Sequence, residues 1–430
     1  MRAFLFRLNA FAIWWRLATS ILLFSLFEIT ARGQNFSAQI INYDLEIPSW
    51  QTARFFNNGT SGVNGAFFTN NGTVQADGNF QVGTFNWAVF TQNAGTFNVN
   101  DYLAIARNGN PSNSSGALRV NGGWVNAWNR PIIVGESGDG YIGIDGGGVY
   151  APNGTVLSGN NGSVGRLDLN SGQLVTSQIY KWGGGTGNLT LNGGTLKATR
   201  DEWNFISGLN SANIGGNGAV INNDGKEIGI NQTLTGSGSG SVKFDGSNKT
   251  TLRQNNTYTG DTLVRGGVLQ FYESGSLYNN GTAAGNIYVN SGATLYFNKQ
   301  DVFGDAGTGS SSPVTITLNG GTINNGNGGV TGGGVFNNLA NLAMNGGTLN
   351  ASGGSANGWN AYMLNNVTVG GSSASIITSN TSINGNNAIL LSRAGTTTFN
   401  VGSTGDATGD LRVSARLTDG NGRVGSHPSV

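Results

Sequence analysis

The chain has 430 residues, 73 of them Gly and 59 Asn, with 22 basic and 21 acidic residues, one His and no Cys. This inventory excludes a disulfide framework, thiol catalysis and Cys-based metal sites, and a net charge of +1 leaves no electrostatic footprint for nucleic acid. Six Pro and no every-third-residue Gly exclude collagen, Gly and Asn disfavour helix bundles, and 37% hydrophobic residues suffice for a core.

At the N-terminus, Arg2, Arg7 and Arg16 precede an apolar run from Leu17 to Phe27, and Ala31-Arg32-Gly33 follows. This is the layout of a secretory signal peptide spanning residues 1–33, cleaved between Gly33 and Gln34. An uncleaved anchor is the alternative, although the run is shorter than the ~20 apolar residues of a spanning helix. Removal of four Arg and one Glu would leave a mature charge of −2. The expected location is extracellular, or at the cell surface or outer membrane, with no transmembrane segment in the mature chain.

Residues 34–100 carry the turn punctuation Asn57-Asn58-Gly59, Asn71-Gly72 and Asn93-Ala94-Gly95 among Trp50, Phe55-Phe56, Phe67-Phe68 and Trp87. They are expected to form an N-terminal cap or irregular first coils. From 101 to 420 one phrase recurs. It reads Leu118-Arg119-Val120-Asn121-Gly122-Gly123, and it returns at 142–147, 167–172, 189–194, 287–292, 316–321 and 342–347, with a looser copy at 264–269. The steps from Asn121 are 24, 25 and 22 to Asn192, then 73 to Arg265, then 25, 29 and 26 to Asn345. The 73 reads as three more repeats, with degenerate units at Ile221-Asn222 and Val242–Phe244.

The chemistry of the phrase is strand, turn, strand. Alternating apolar positions line one face of a strand, and Asn-Gly or Asp-Gly supplies positive φ at low steric cost. A meander of hairpins would turn every 8–12 residues or so. A unit of about 22–29 residues with secondary turns inside it instead fits one coil of a right-handed parallel β-helix. The predicted class is therefore all-β, an elongated solenoid whose stacked Asn side chains form ladders.

Residues 234–270 are more specific. Leu234-Thr235-Gly236 leads through a Gly/Ser run to Asn255-Asn256-Thr257-Tyr258-Thr259-Gly260-Asp261-Thr262, and Val264-Arg265-Gly266-Gly267-Val268-Leu269 closes the segment. This resembles the autotransporter-associated β-strand repeat, also called the passenger-associated transport repeat. The matching positions are Asn256, Thr257, Tyr258, Thr259, Gly260, Thr262, Gly267 and Leu269; Asp261 stands where a second Gly is commoner. The resemblance implies a secreted or surface-displayed bacterial passenger built as a β-helix. Such passengers usually end in a β-barrel or a sorting tail. Here Leu411–Gly420 resembles the lead-in to a further repeat, so 421–430 reads as the disordered tail of a truncated chain.

Candidate chemistry is sparse. The lone His427 stands near the end, and Ser-His-Asp or His-metal constellations are excluded by inventory. Asp201-Glu202 beside Arg200 would point to opposite faces of a strand, and Asp224 with Lys226-Glu227 reads as a solvated corner. Asp145 fits a turn better than a single imperfect calcium-binding nonapeptide. Trp124, Trp128 and Trp182, with Trp203 and Trp359, are candidates for stacking on glycans, weighed against a role in the core or an end cap. The reading is a structural or adhesive surface protein, not an enzyme, with no catalytic residues, cofactor or metal. Its expected partners are cell-surface glycans or other surface proteins. A carbohydrate-active β-helix enzyme and a glycan-binding module are the alternatives.

Overall fold

Alternation decides the architecture. In the short strand Thr195–Ala198, Leu196 and Ala198 are buried while Thr195 and Lys197 face outward, and the same pattern repeats in Thr73–Ala76, Trp124–Ala127 and Gln173–Thr176. Strands this short cannot bury a face alone. They do so by stacking in parallel on the coil before and the coil after.

The computed structural model describes residues 34–418 apart from 38, 57–58, 108–113, 237, 278–284, 304–313, 327–334, 352–361, 380–387 and 392–395. Gly33, Trp359, His427 and the tail 421–430 lie outside these residues. The described residues form an all-β parallel solenoid with three faces per coil and no helix. In the first coil, Gln34–Ser37 lies on the first face, Ile40–Ile41 on the second and Leu45–Ile47 on the third. Each pairs in parallel with the next coil, through Phe36↔Phe55, Ile41↔Val63 and Leu45↔Phe68. Residues 34–100 thus form coils on the same three faces as the chain that follows.

The interior is one hydrophobic cluster running from Ile41 to Ala415. Its N-terminal part is aromatic: Phe90 stacks on Phe68 at 4.7 Å and on Phe97 at 4.3 Å, and Phe80 meets Phe97 edge-on at 4.9 Å. Further along, the third face offers an aliphatic column in register, Leu118, Ile142, Leu167 and Leu189. Each such side chain, fully buried, contributes roughly 1.5–3 kcal/mol.

Coil length varies more than the sequence spacing indicates. The coil from Val242 to its partner Thr262 is short, whereas the one from Val367 to its partner Phe399 is more than half as long again. The turn phrase also changes place. Up to Asn192 it closes the third face and opens the first, as at Ser115–Val120 followed by Trp124–Ala127. From Val264 onward it closes the first face and opens the second, as at Ile287–Asn290 followed by Thr294–Phe297. The long interval between Asn192 and Arg265 is therefore not three whole repeats of one unit. Ile221-Asn222 and Val242–Phe244 belong to first-face strands, so they already stand beside the corner that the later phrases occupy.

The corners are tied differently. Between the third and first faces, amides stack: Asn121 Nδ2 donates to Asn93 Oδ1 at 2.9 Å, Asn170 Nδ2 to Asp145 Oδ1 at 2.8 Å and Asn192 Nδ2 to Asn170 Oδ1 at 3.3 Å. Between the first and second faces, ion pairs stack, Arg130–Asp101 at 2.8 Å, Lys197–Asp224 at 3.1 Å, Lys249–Glu227 at 2.7 Å and Arg265–Asp245, and further along the amide stack reappears at this corner, where Asn345 Nδ2 donates to Asn319 Oδ1 at 3.0 Å.

Candidate functional site

The resembling segment has a clear structural job. After Ser211–Ile214 the third-face sheet ends, and what continues it is a parallel bridge at Thr235 and the two-residue strands Asn255–Asn256 and Ser276–Leu277. Asn256 is buried there. Its Oδ1 accepts from Leu234 N at 3.0 Å in the coil before, and its Nδ2 donates to Gln254 O at 2.7 Å and to Ser276 O, in the coil after, at 3.3 Å. One amide side chain thus makes the inter-coil bonds that a longer strand would make with its backbone. Tyr258 packs in the core with its hydroxyl 2.7 Å from Thr262 Oγ1, and burial pushes the phenol well above its ordinary pKa. Thr257 N donates to Leu234 O and Thr259 N to Gly236 O, Leu269 is buried, and a Cβ on Gly260 or Gly267 would collide with the backbone of Gly240 or Asn248.

The three Trp candidates are not brought together. Trp124 opens a first-face strand and lies half-buried over Gly148, where a Cβ would strike its ring. Trp128 follows on the same strand side, 45% exposed, 5.4 Å from the Tyr150 ring. Trp182 is 53% exposed at the corner between the second and third faces, 6.3 Å from Tyr180. Trp203, on a bulged second-face strand, is covered by the Arg253 guanidinium at 4.7 Å.

The charged pairs weighed from sequence are already engaged, most of them across coils. Asp201 Oδ1 accepts from Glu227 N at 2.8 Å, Asp224 pairs with Lys197 and Glu227 with Lys249, while Glu202 pairs locally with Arg200. Among the described residues no group of three or more His, Cys, Asp or Glu could hold a metal ion. No helix there is long and apolar enough to cross a membrane.

A groove that the sequence did not announce lies on the outer third face. It measures about 370 Å³ and is lined by Thr91, Arg119, Asn121, Tyr141 and Asp145. Thr91, Arg119, Gly143 and Asp168 succeed one another in register over four coils. Gly143 makes the groove possible: a Cβ there would sit 2.6 Å from the Tyr141 hydroxyl, so the ring leans along its own strand across this position. Burial, helped by the carboxylates of Asp168 and Asp145, pushes the Tyr141 phenol up to about 12, with Arg119 opposing. Alternation along three successive strands and one strategically absent side chain are the only sequence signals for this site, and both look like ordinary scaffold.

Comparison with protein-family models, with curated proteins and with solved structures finds no match for this chain.

Proposed function

We propose that the chain is an exported, surface-displayed passenger-type β-solenoid that acts as a structural and adhesive scaffold rather than an enzyme. The observation that carries this reading is the single core running through all the described coils, with the corners tied by amide stacks and ion pairs. Such a rod holds its outer faces at fixed spacing, which suits presentation. The role of Asn256 as an inter-coil fastener, with Tyr258 packed in the core beside it, agrees with the resemblance of their segment to a passenger repeat. The test is expression of the full chain with its own leader in a Gram-negative host. The expected result is a mature N-terminus at Gln34 and digestion by protease added to intact cells, or recovery from the medium; retention in the cytoplasm with an intact leader overturns the reading.

The third-face groove favours one alternative, a carbohydrate-active β-helix enzyme, because it gathers a phenol, a guanidinium and carboxylates on a sheet face. Incubation of the purified chain with pectin- and alginate-type polymers decides between them. Display predicts no unsaturated products and no new reducing ends.

A further inference from the structure

We propose that the third-face groove binds one acidic sugar residue of a polysaccharide, with the sugar carboxylate on Arg119 and sugar hydroxyls on Asp145, Asn121 and Thr91. This deepens the adhesive reading above by giving it a ligand class and a place.

Arg119 is exposed and takes part in none of the ion pairs of the described residues, although eight other Lys and Arg side chains do. A guanidinium presents a planar fork matched to a carboxylate. Its neighbours do not fill that fork. Asp168 stands two coils away from Arg119, in register beyond Gly143, and Asp145 Oδ1 receives Asn170 Nδ2 at 2.8 Å.

The remaining groups suit hydroxyls. Asp145 keeps acceptor capacity for sugar O–H groups, Asn121 is held by its bond to Asn93 at 2.9 Å, and Thr91 offers a hydroxyl one coil from Arg119. The Tyr141 ring, fixed across Gly143, supplies an apolar wall for a sugar face. Held by strand register and by corners tied across coils, these groups need little ordering on binding. The coil spacing of about 4.8 Å is on the scale of one pyranose ring, so Thr91 and Asp145, one coil to either side of Arg119, are within reach of the substituents of a single sugar.

A positively charged donor beside a negatively charged acceptor also predicts selectivity. A neutral sugar satisfies Asp145 but leaves Arg119 without a counter-charge. A bare small anion satisfies Arg119 but meets Asp145.

The experiment is titration of the purified full chain with tetragalacturonate and with cellotetraose by calorimetry. The expected result is binding of the acidic oligomer only, weakened by salt. Arg119→Gln should reduce affinity by about ten- to a hundredfold, as expected for loss of a charge-assisted hydrogen-bonded pair. Tyr141→Phe, which keeps the ring and removes only its hydroxyl, should reduce affinity less. Trp182→Ala should leave it unchanged. Both groove variants change outward-facing side chains, and far-UV circular dichroism checks that the solenoid persists. Equal affinity for both oligomers, binding of neither, or full binding by Arg119→Gln overturns the proposal, as does loss of binding in Trp182→Ala. Because the readout is made on purified protein, failure to reach the cell surface would sink the display reading and leave this one standing.

Discussion

Two stretches of the solenoid solve the same problem with different means. Up to Ile214 the third face is an eight-strand parallel sheet, and the Asn-Gly corner phrase stands between the third and first faces. From Ala219 to Leu277 the third face shrinks to short pieces and a buried Asn spans the coils, before parallel pairing resumes there at Asn337↔Tyr362, Tyr362↔Ile389 and Ile389↔Leu417, and the same phrase stands between the first and second faces. Gly123 in one stretch and Gly267 in the other have nearly the same φ, 65° and 61°, and each leaves no room for a Cβ against the coil below. The phrase therefore encodes a local bend, not an address within the coil.

Phe90→Ala removes a ring stacked on both sides and should cost about 3–5 kcal/mol. Every described Trp lies at or before residue 203, so the loss should show as an earlier transition in urea unfolding followed by Trp fluorescence. Next, Asn256→Ala leaves the buried Leu234 N without its partner and removes a second bond to Ser276 O, and should cost about 2–3 kcal/mol. By contrast Asn188→Ala, on the sheet-built third face, loses one part-buried bond from Ser211 and should cost under about 1 kcal/mol. Equal costs for these two would mean that the amide does not replace the sheet. Gly123→Ala and Gly267→Ala should each cost roughly 2 kcal/mol and agree with one another. A large gap between them would show that the two corners are not equivalent.

The smallest effect is local and depends on pH. Asp406 accepts from Thr408 Oγ1 at 2.5 Å, Thr408 N at 2.8 Å and Ala374 N at 3.1 Å, which together hold its carboxyl down at about 2, against an ordinary value of 3.8. A lowered folded pKa means support that is present above about pH 4 and is lost as pH falls toward 2. Hydrogen-exchange protection of residues 398–413, corrected for intrinsic rate, should fall over that window in the parent chain and not in Asp406→Asn.

Much of the architecture is legible from short-range chemistry. Leu-x-Leu-Asn-Gly-Gly states a strand and a corner at once, and its recurrence states a stack of coils. The migration of the phrase is not legible, because Ile316–Gly321 and Leu189–Gly194 present the same pattern while standing at different corners. Coil length is obscured for the same reason: a corner tolerates extra residues without disturbing the strands it joins. The groove stayed hidden because its residues are 28, 24 and 25 positions apart along Thr91, Arg119, Gly143 and Asp168, and only the register unites them. The Trp side chains attracted notice for their size, yet the solenoid distributes them over separate corners.

Coil length has a kinetic consequence. First-face partners such as Val242 and Thr262, or Val367 and Phe399, lie a single coil apart along the chain. Closing each new coil therefore costs only the entropy of a short loop, however long the finished rod becomes. A chain threading end-first through a narrow opening would need to free only one coil's length before that coil could settle on the last. Each coil so placed would hinder the segment from sliding back, turning stepwise folding into a ratchet.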